Sequence, residues 1–265
     1  MSVVSLMKAV YRELVSKPQS KPQEDTVKLT PEEEKIWNEG ERLIPGITHD
    51  DAEPIRVKSL YEFFRMIITQ DMENSNGRSK KPSKVVDLGC GIGYGCITLS
   101  EIKNAIVTGI DCSQESVSYG EKHFSRKNIE YKVANLSKYV FKMPVFDYVV
   151  SRGVLEHIAN GLCLAAVTKY TQRLIFDVPY KEGEGNKFHL IRGVDEDSFA
   201  HMSDPELFYQ DLDGVIYDVK HKPPKANMII CACRGNKKLP KIKDMGLKFP
   251  IPAPKPDNQD ENKMA

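Results

Sequence analysis

Four glycines stand at alternate positions, 89, 91, 93 and 95, within the segment KVVDLGCGIGYGCITLSE at residues 84–101. Glycine loses more backbone freedom on folding than other residues, so such a cluster indicates a place where side chains cannot be tolerated. The usual reason is a ligand that lies against the backbone. An apolar run precedes the glycines and a helix-like pattern follows them, so the segment predicts a turn between a strand and a helix.

The spacing of these glycines distinguishes two classes of ligand. The dinucleotide fingerprint needs G-x-G-x-x-G, because the pyrophosphate sits on the helix N-terminus. Counted from Gly89 the third glycine would be Tyr94, and counted from Gly91 it would be Cys96, so neither frame fits. The pattern is instead D-x-G-x-G-x-G, starting at Asp87. It disfavours an NAD-dependent oxidoreductase and favours S-adenosylmethionine (SAM), the other ligand that uses a turn of this kind.

The elements that must position the turn alternate along the chain. The predicted strands lie at 84–88, 105–111, 129–134, 146–151 and 173–178, and the helices between them at about 93–103, 114–127 and 161–170. This alternation predicts a doubly wound, Rossmann-like α/β fold whose mostly parallel sheet binds ligands at the carboxyl ends of its strands. A short helix is predicted after Ser203. An antiparallel hairpin of VIYDVKHK and MIICACRG is predicted to complete the fold.

Four regions are expected along the chain. Residues 1–29 are predicted to be an N-terminal helix and linker, 30–83 a helical cap, 84–234 the ligand-binding domain, and 235–265 a flexible tail rich in proline and charge. Trp37, on an early helix of the cap, could close over a substrate, although a lone tryptophan more often serves packing.

Several motifs resemble those of class I SAM-dependent methyltransferases. VDLGCGIGYG at 86–95 resembles motif I of this family, and FDYVVSRGVLEHI at 146–158 resembles its strand-four segment. A narrower bacterial and phage group, often associated with surface-glycan pathways, has motifs similar to GERLIPG, CGIGYG, LEHI and NKFHL in this order. The resemblance covers roughly 84–234. It implies methyl transfer to a hydroxyl of a glycan or glycolipid, with a small-molecule amine or carboxylate, or a catalytically silent SAM-binding protein, as alternatives.

The resemblance also implies a cofactor site. Asp111 ends the second predicted strand, where a carboxylate can accept hydrogen bonds from both ribose hydroxyls. Asn135 can meet the adenine amino group through its amide oxygen, and Asp87 either anchors the methionine amino group of SAM or orients the glycine turn. The implied cofactor-binding residues are Asp87, Gly89, Cys90, Gly91, Gly93, Asp111, Cys112, Asn135, Leu136 and Ser151.

Two histidines are the candidate catalytic residues. A hydroxyl acceptor needs a base, and imidazole, with an ordinary pKa of about 6.5, suits this role. His157 follows the fourth strand, and His189 lies on the loop after the fifth. The alternative is that His157 caps local backbone and His189 merely lines the loop.

The composition of the chain limits the partners, the location and the metal sites that we expect. The formal net charge is +1, which disfavours nucleic acid and anionic membranes as partners. No apolar run approaches the roughly 18 residues of a membrane span, and no signal-peptide pattern is evident, so a cytoplasmic location is expected. The six cysteines lack metal-ligand spacing, and no metal site is predicted. The sequence indicates neither the atom that is methylated nor the oligomeric state.

Overall fold

The computed structural model describes residues 52–74, 81–184, 186, 188–235, 239 and 241–242. The predictions for the N-terminal helix and linker, for the early cap helix with Trp37, and for the tail beyond residue 242 lie outside the described residues. Within these residues, no helix is both long and apolar enough to cross a membrane.

Helices and strands alternate over the central part of the chain. The helices are α1 (Ala52–Asn74), α2 (Tyr94–Leu99), α3 (Gln114–His123), α4 (Leu136–Tyr139) and α5 (Gly161–Val167). The strands are β1 (Ser83–Leu88), β2 (Ala105–Asp111), β3 (Ile129–Val133), β4 (Phe146–Ser151), β5 (Tyr170–Pro179), β6 (Pro205–Gln210), β7 (Ile216–Asp218) and β8 (Met228–Arg234). Short 3₁₀ turns lie at Leu155–His157, Glu196–Phe199 and Val219–His221.

The described strands form one eight-stranded sheet in the order β3-β2-β1-β4-β5-β8-β6-β7. The first five pair in parallel, and β8 runs antiparallel to both β5 and β6. The chain order reverses between β1 and β4. Their carboxyl ends are therefore the switch point at which such sheets bind ligands. The predicted Rossmann-like fold is confirmed.

The C-terminal antiparallel region is confirmed, but its pairing differs from the prediction. The residues predicted as a helix after Ser203 form strand β6, which pairs with β8 along its whole length. VIYDVKHK contributes only β7, which pairs with β6 and not with β8. Pro205 and Glu206, read as a helix start, begin a strand because the following Leu207, Phe208 and Tyr209 pack between β8 and β7.

Each face of the sheet carries its own apolar core. On one face, α1 contributes five residues that are completely buried: Leu60, Phe63, Phe64, Ile67 and Ile68. These five residues recur at helical spacing and so lie on one face of α1. They pack with residues of β1, β4, β5 and β8. The helix therefore shares a core with the sheet, although the sequence had placed it in a separate cap.

A buried ion pair also fixes α1 to the sheet. The Arg173 guanidinium on β5 donates to both carboxylate oxygens of Asp71 on α1, at 2.5 and 3.2 Å, and to Glu206 on β6 at 3.1 Å. Removing one partner of such a buried pair would leave an uncompensated charge. The network joins three elements on the face opposite to α4 and α5.

The predicted flexible tail, residues 235–265, includes residues that pack on the domain. Leu239 is 7% exposed and Ile242 is fully buried in the core beneath α1. The Arg234 guanidinium donates to the Leu239 carbonyl at 2.9 Å, and the Ile242 N–H donates to the Glu206 carboxylate at 2.8 Å. Leu239 and Ile242 thus pack on the domain although lysines surround them in the sequence.

Candidate active site

The glycine turn lies at the carboxyl end of β1 and leads directly into α2. The N–H groups of Gly89 and Cys90 both donate to the Ile110 carbonyl on β2, at 2.7 and 3.0 Å. The Gly93 N–H donates back to the Cys90 carbonyl at 3.0 Å. These bonds hold the glycine loop, residues 89–95, against the end of β2, where Asp111 stands.

The four glycines serve two purposes. A Cβ at Gly89 would lie 2.3 Å from Val154, one at Gly93 would lie 2.2 Å from the Tyr131 hydroxyl, and one at Gly95 would lie 2.0 Å from the Tyr61 ring. A Cβ at Gly91 would meet nothing within 4 Å. Three glycines are therefore required by the packing of the protein itself. Gly91 faces open space, which makes it the part of the loop that a ligand could approach.

Asp111 joins the loop to β2. One carboxylate oxygen accepts from the Gly91 N–H at 2.8 Å and the other accepts from the Ser113 N–H at 2.9 Å. A carboxylate has about four acceptor positions, so these bonds are compatible with further donors such as two hydroxyls. The side chain stands beside the open space at Gly91, as a ribose-binding carboxylate should.

Asp87 is the most unusual ionisable group of the loop region. Its Oδ2 accepts from the Tyr61 hydroxyl at 3.0 Å and from the Cys96 thiol at 3.7 Å. Among the described residues, its buried Oδ1 has no hydrogen-bond partner. Burial is the main cause that raises the pKa of Asp87 to about 7, against the smaller opposing effect of its two donors. A buried acceptor without a donor fits the ammonium group of the methionine part of SAM.

The other predicted cofactor residues occupy the same edge of the sheet. Ser151 ends β4, and its hydroxyl donates to the Leu88 carbonyl at 2.9 Å. Asn135 lies just beyond β3. It caps α4, and its amide oxygen accepts from the Ser137 N–H at 3.0 Å. Leu136 is buried at the start of that helix, and Cys112 follows Asp111 as a partly buried residue.

His157 and His189 are neighbours although they lie on different segments of the chain. His157 ends the 3₁₀ turn that follows β4, and His189 lies on the loop after β5. Their ring centroids are 4.7 Å apart in an edge-to-face arrangement. The Phe188 carbonyl lies 3.0 Å from His157 Nδ1 and can only accept, so Nδ1 carries a proton and Nε2 carries the lone pair of the neutral ring.

Two glutamates complete this group, and neither was predicted. Glu182 Oε2 lies 2.5 Å from His189 Nδ1, and Glu156 Oε1 lies 3.9 Å from His157 Nε2. Glu156 is 3% exposed. Its position beside His157 in LEHI could have drawn attention to it. Glu182 carried no such signal, because it stands in the glycine-rich segment KEGEGN. We refer to Glu156, His157, Glu182 and His189 as the histidine cluster.

The histidine cluster lies next to the glycine loop. Val154, two residues before Glu156, is the side chain that a Cβ at Gly89 would meet at 2.3 Å. The Gly153 N–H donates to the Asp177 carboxylate at 2.8 Å, which ties the chain after β4 to β5. The carboxyl edge of the sheet therefore presents a backbone cradle at Gly91 and, beside it, two imidazoles, one oriented by the Phe188 carbonyl and the other by the Glu182 carboxylate. This arrangement can hold a cofactor and take a proton close to it.

A family model agrees with this geometry. Residues 85–174 match the model described as a methyltransferase domain. Phosphoethanolamine N-methyltransferase 3 of Arabidopsis thaliana is 35% identical over 83 residues, which are 31% of this chain and 17% of that protein. Ubiquinone biosynthesis O-methyltransferase of Bartonella bacilliformis is 28% identical over 89 residues, 32% of this chain and 36% of that protein. The chain covers less than a fifth of the length of the Arabidopsis relative.

Solved structures share the fold. The N-terminal domain of EvdMO1 with SAH bound has a TM-score of 0.54 at 12% identity, over 80% of this chain and 99% of that one. The same domain was also solved in the presence of SAH and D-fucose, with a TM-score of 0.51. A structure of WbdD has a TM-score of 0.52 at 20% identity and covers 86% of this chain and 42% of that one. With the glycine loop, Asp111 and the family match, residues 85–174 form a class I SAM-dependent methyltransferase domain.

Proposed function

We propose that this protein transfers a methyl group from SAM to a hydroxyl of an acceptor, with a sugar of a glycan or glycolipid as the favoured acceptor. The observation that carries the hydroxyl assignment is the histidine cluster beside the glycine loop. An alcohol must lose its proton during the transfer, whereas an amine can enter already neutral. Two adjacent imidazoles, each oriented by a hydrogen bond at Nδ1, are therefore more useful for a hydroxyl acceptor than for an amine.

The cofactor side acts mainly by positioning. Bound SAM supplies a methyl group already activated by its sulfonium. The backbone at Gly91 and the carboxylates of Asp87 and Asp111 bind and orient the cofactor at the edge of the sheet. Holding two reactants in a fixed geometry removes much of the entropic barrier to a displacement. Cys112, Asn135, Leu136 and Ser151 are proposed to shape the adenine and methionine ends of the same cradle.

The histidine cluster manages the proton of the acceptor. In our proposal the Nε2 side of His157 faces the acceptor, because Nδ1 is engaged by the Phe188 carbonyl. The Glu182 carboxylate orients His189 and stabilises a positive charge on that ring. As the acceptor oxygen forms its new bond to carbon, its proton passes to an imidazole and then to solvent.

The sugar assignment rests on resemblance and not on contacts. The motifs GERLIPG, CGIGYG, LEHI and NKFHL resemble a group often associated with surface-glycan pathways. The presence of D-fucose with one EvdMO1 structure is compatible with a sugar acceptor in this fold. A specific observation favours a second candidate, a small amine, since a relative that is 35% identical over 83 residues is named for phosphoethanolamine N-methylation.

The test is a screen with methyl-labelled SAM against nucleotide sugars, glycolipid precursors and small amines that include phosphoethanolamine. We expect label on a sugar hydroxyl, identified as a methyl ether by mass spectrometry. Label on phosphoethanolamine alone would replace the hydroxyl proposal by the amine. SAM binding without turnover on any acceptor would indicate a silent binding protein of this fold.

A further inference from the structure

We propose that Glu156, His157 and His189 form a binding site for a divalent metal ion. Each side chain offers one ligand atom, and the three atoms all lie within 4.8 Å of one another. Two imidazoles and one carboxylate are a donor set that zinc and other first-row transition metals bind in proteins, with coordination positions left open. The catalytic consequence of the ion rests on the proposed function, but its binding does not.

The hydrogen bonds of the two rings favour metal ligation. A metal-bound histidine almost always donates its other ring N–H to a carbonyl or a carboxylate. His157 Nδ1 is paired with the Phe188 carbonyl at 3.0 Å, and His189 Nδ1 is paired with the Glu182 carboxylate at 2.5 Å. Both partners fix the tautomer that places a lone pair on Nε2. Sequence spacing could not indicate the site, because its ligands come from two separate segments.

The backbone holds the two segments together. The Glu156 carbonyl accepts from the Leu190 N–H at 2.7 Å and from the Ile191 N–H at 3.1 Å. The Arg192 guanidinium donates to the Asn186 carbonyl at 2.8 Å and so closes the loop that carries His189. These bonds lie directly beside the proposed ligands. The turn that carries Glu156 and the loop that carries His189 are therefore joined by two main-chain bonds, and a side-chain bond closes the loop.

Burial and charge favour a cation here. The side chains of Glu156 and His157 are 4% and 6% exposed, and that of His189 is 11% exposed. A carboxylate this far from solvent is stabilised by a nearby positive charge. Glu182 adds a second carboxylate behind His189. A divalent ion would lie close to both carboxylates, of which Glu156 is the more buried.

The ligands would need a small adjustment. Glu156 Oε1 and His157 Nε2 are 3.9 Å apart, whereas two ligands of a tetrahedral zinc are separated by roughly 3.3–3.5 Å. The Asn186 amide lies 3.0 Å from His189 Nε2 and would have to yield to the ion. Both changes are side-chain rotations. They predict a site of moderate affinity.

An ion at this position would deepen the proposed function. A hydroxyl bound to a divalent cation would release its proton more readily. Because the ion would hold both Nε2 lone pairs, that proton would pass to solvent water, and the two imidazoles would act as ligands instead of as the base. An acceptor with two adjacent hydroxyls could occupy two open coordination positions at once. The inference therefore names the substrate class as a vicinal diol, such as occurs on a sugar ring.

The experiment is a titration of the chelator-treated full chain with Co²⁺, without SAM or acceptor, followed by visible absorption. We expect one Co²⁺ per chain with the weak visible bands of nitrogen and oxygen ligation and without thiolate charge-transfer bands. Glu156→Gln and His189→Ala should each raise the dissociation constant at least tenfold. Glu182→Gln should raise it roughly tenfold to a hundredfold. The matched control is His221→Ala, since His221 is exposed and also pairs with a carboxylate, Asp218.

Three outcomes would overturn the metal site: no saturable Co²⁺ absorption, bands typical of thiolate ligation, or cluster variants that bind as tightly as His221→Ala. Circular dichroism and melting temperature establish that each variant is folded. If Glu156→Gln is unfolded, the loop variants of His189 and Glu182 decide the matter. SAM binding is measured separately by calorimetry. A chain that binds SAM but no Co²⁺ refutes only this inference, and one that binds Co²⁺ but no SAM refutes only the proposed function.

Discussion

The glycine loop and the histidine cluster are adjacent but are constructed in different ways. The loop is one continuous stretch whose backbone is fixed by hydrogen bonds to the end of β2. The cluster is assembled from the 3₁₀ turn after β4 and a loop after β5, and it depends on side chains. The loop uses the absence of side chains to leave room, while the cluster uses their ionisable groups.

This difference separates binding from chemistry. In the proposed function the loop contacts the cofactor in every state of the reaction, so a change in the loop should act on cofactor affinity. The cluster is proposed to contact the acceptor proton only as the new bond forms, so a change in the cluster should act on turnover. The two regions can therefore be tested independently, provided that affinity and rate are measured in the same variants.

The largest effect is expected in the cluster. His157→Ala should slow methyl transfer by about 10²- to 10⁴-fold, the usual contribution of a group that manages a proton, and leave SAM affinity nearly unchanged. Turnover at saturating SAM and calorimetric SAM affinity are to be compared with those of His221→Ala. A variant with wild-type turnover would remove His157 from the reaction. A loss of SAM affinity as large as the loss of turnover would show that binding and chemistry are not divided between the loop and the cluster.

Gly91 and Gly95 form a matched pair within the loop. Gly91 has a left-handed φ of +53°, so Gly91→Ala should cost about 1–2 kcal/mol through backbone strain. The methyl group that it places in the open space should weaken SAM binding at least tenfold. Gly95→Ala drives a methyl group into the Tyr61 ring and should cost about 1–3 kcal/mol of unfolding free energy. Denaturant unfolding measures the stability of both variants, and calorimetry measures their affinity for SAM. If Gly91→Ala binds SAM normally, the open space is not the cofactor cradle.

Asp111→Ala tests the ribose contact. Hydrogen bonds to charged groups contribute about 1.5–3 kcal/mol, so SAM affinity should fall roughly tenfold or more. The substitution also removes the acceptor of the Gly91 and Ser113 N–H groups. Asp111→Asn keeps an acceptor and should lose less. If both variants are folded and bind SAM as tightly as the wild-type chain, the ribose does not bind at Asp111.

The smallest effect is a pH dependence from Asp87. Burial raises its pKa to about 7, so the folded chain holds a proton that the unfolded chain releases above about pH 4. The stability contributed by the protonated form is lost as pH rises through 7. SAM affinity should rise severalfold over the same interval, because the ionised carboxylate pairs with an ammonium group. Asp87→Asn should flatten both profiles, and an unchanged affinity profile would exclude Asp87 from the cofactor site.

The sequence predicted the elements around the glycine loop better than those around the histidine cluster, for a physical reason. Asp87, the glycines and Asp111 are placed by strands whose apolar runs are readable and whose carboxyl ends must meet. The interpretation of all four glycines as a ligand site was incomplete, since three of them make room for side chains of the protein itself, Val154, Tyr131 and Tyr61. No local pattern shows which distant side chain fills the space above a glycine.

The acceptor side and the C-terminus depend on long-range contacts. His157 and His189 were found by type and by their place after strands, but Glu182 becomes relevant only when its loop folds back onto His189. Strand β6 was mistaken for a helix because Pro205 and Glu206 are favoured at helix starts, and packing between β8 and β7 outweighed that preference. Ile242 likewise lies among lysines and a proline, which masked its burial.

The position of β8 constrains how the chain can be synthesised and folded. The last strand lies between β5 and β6, which precede it in the sequence. A nascent chain on the ribosome therefore cannot complete the sheet until residues 228–234 have emerged from the exit tunnel. Until then β5 and β6 both expose unpaired edges, which favour association with other chains. Premature termination before β8 would yield an aggregation-prone fragment, although the entire glycine loop and histidine cluster had already been translated.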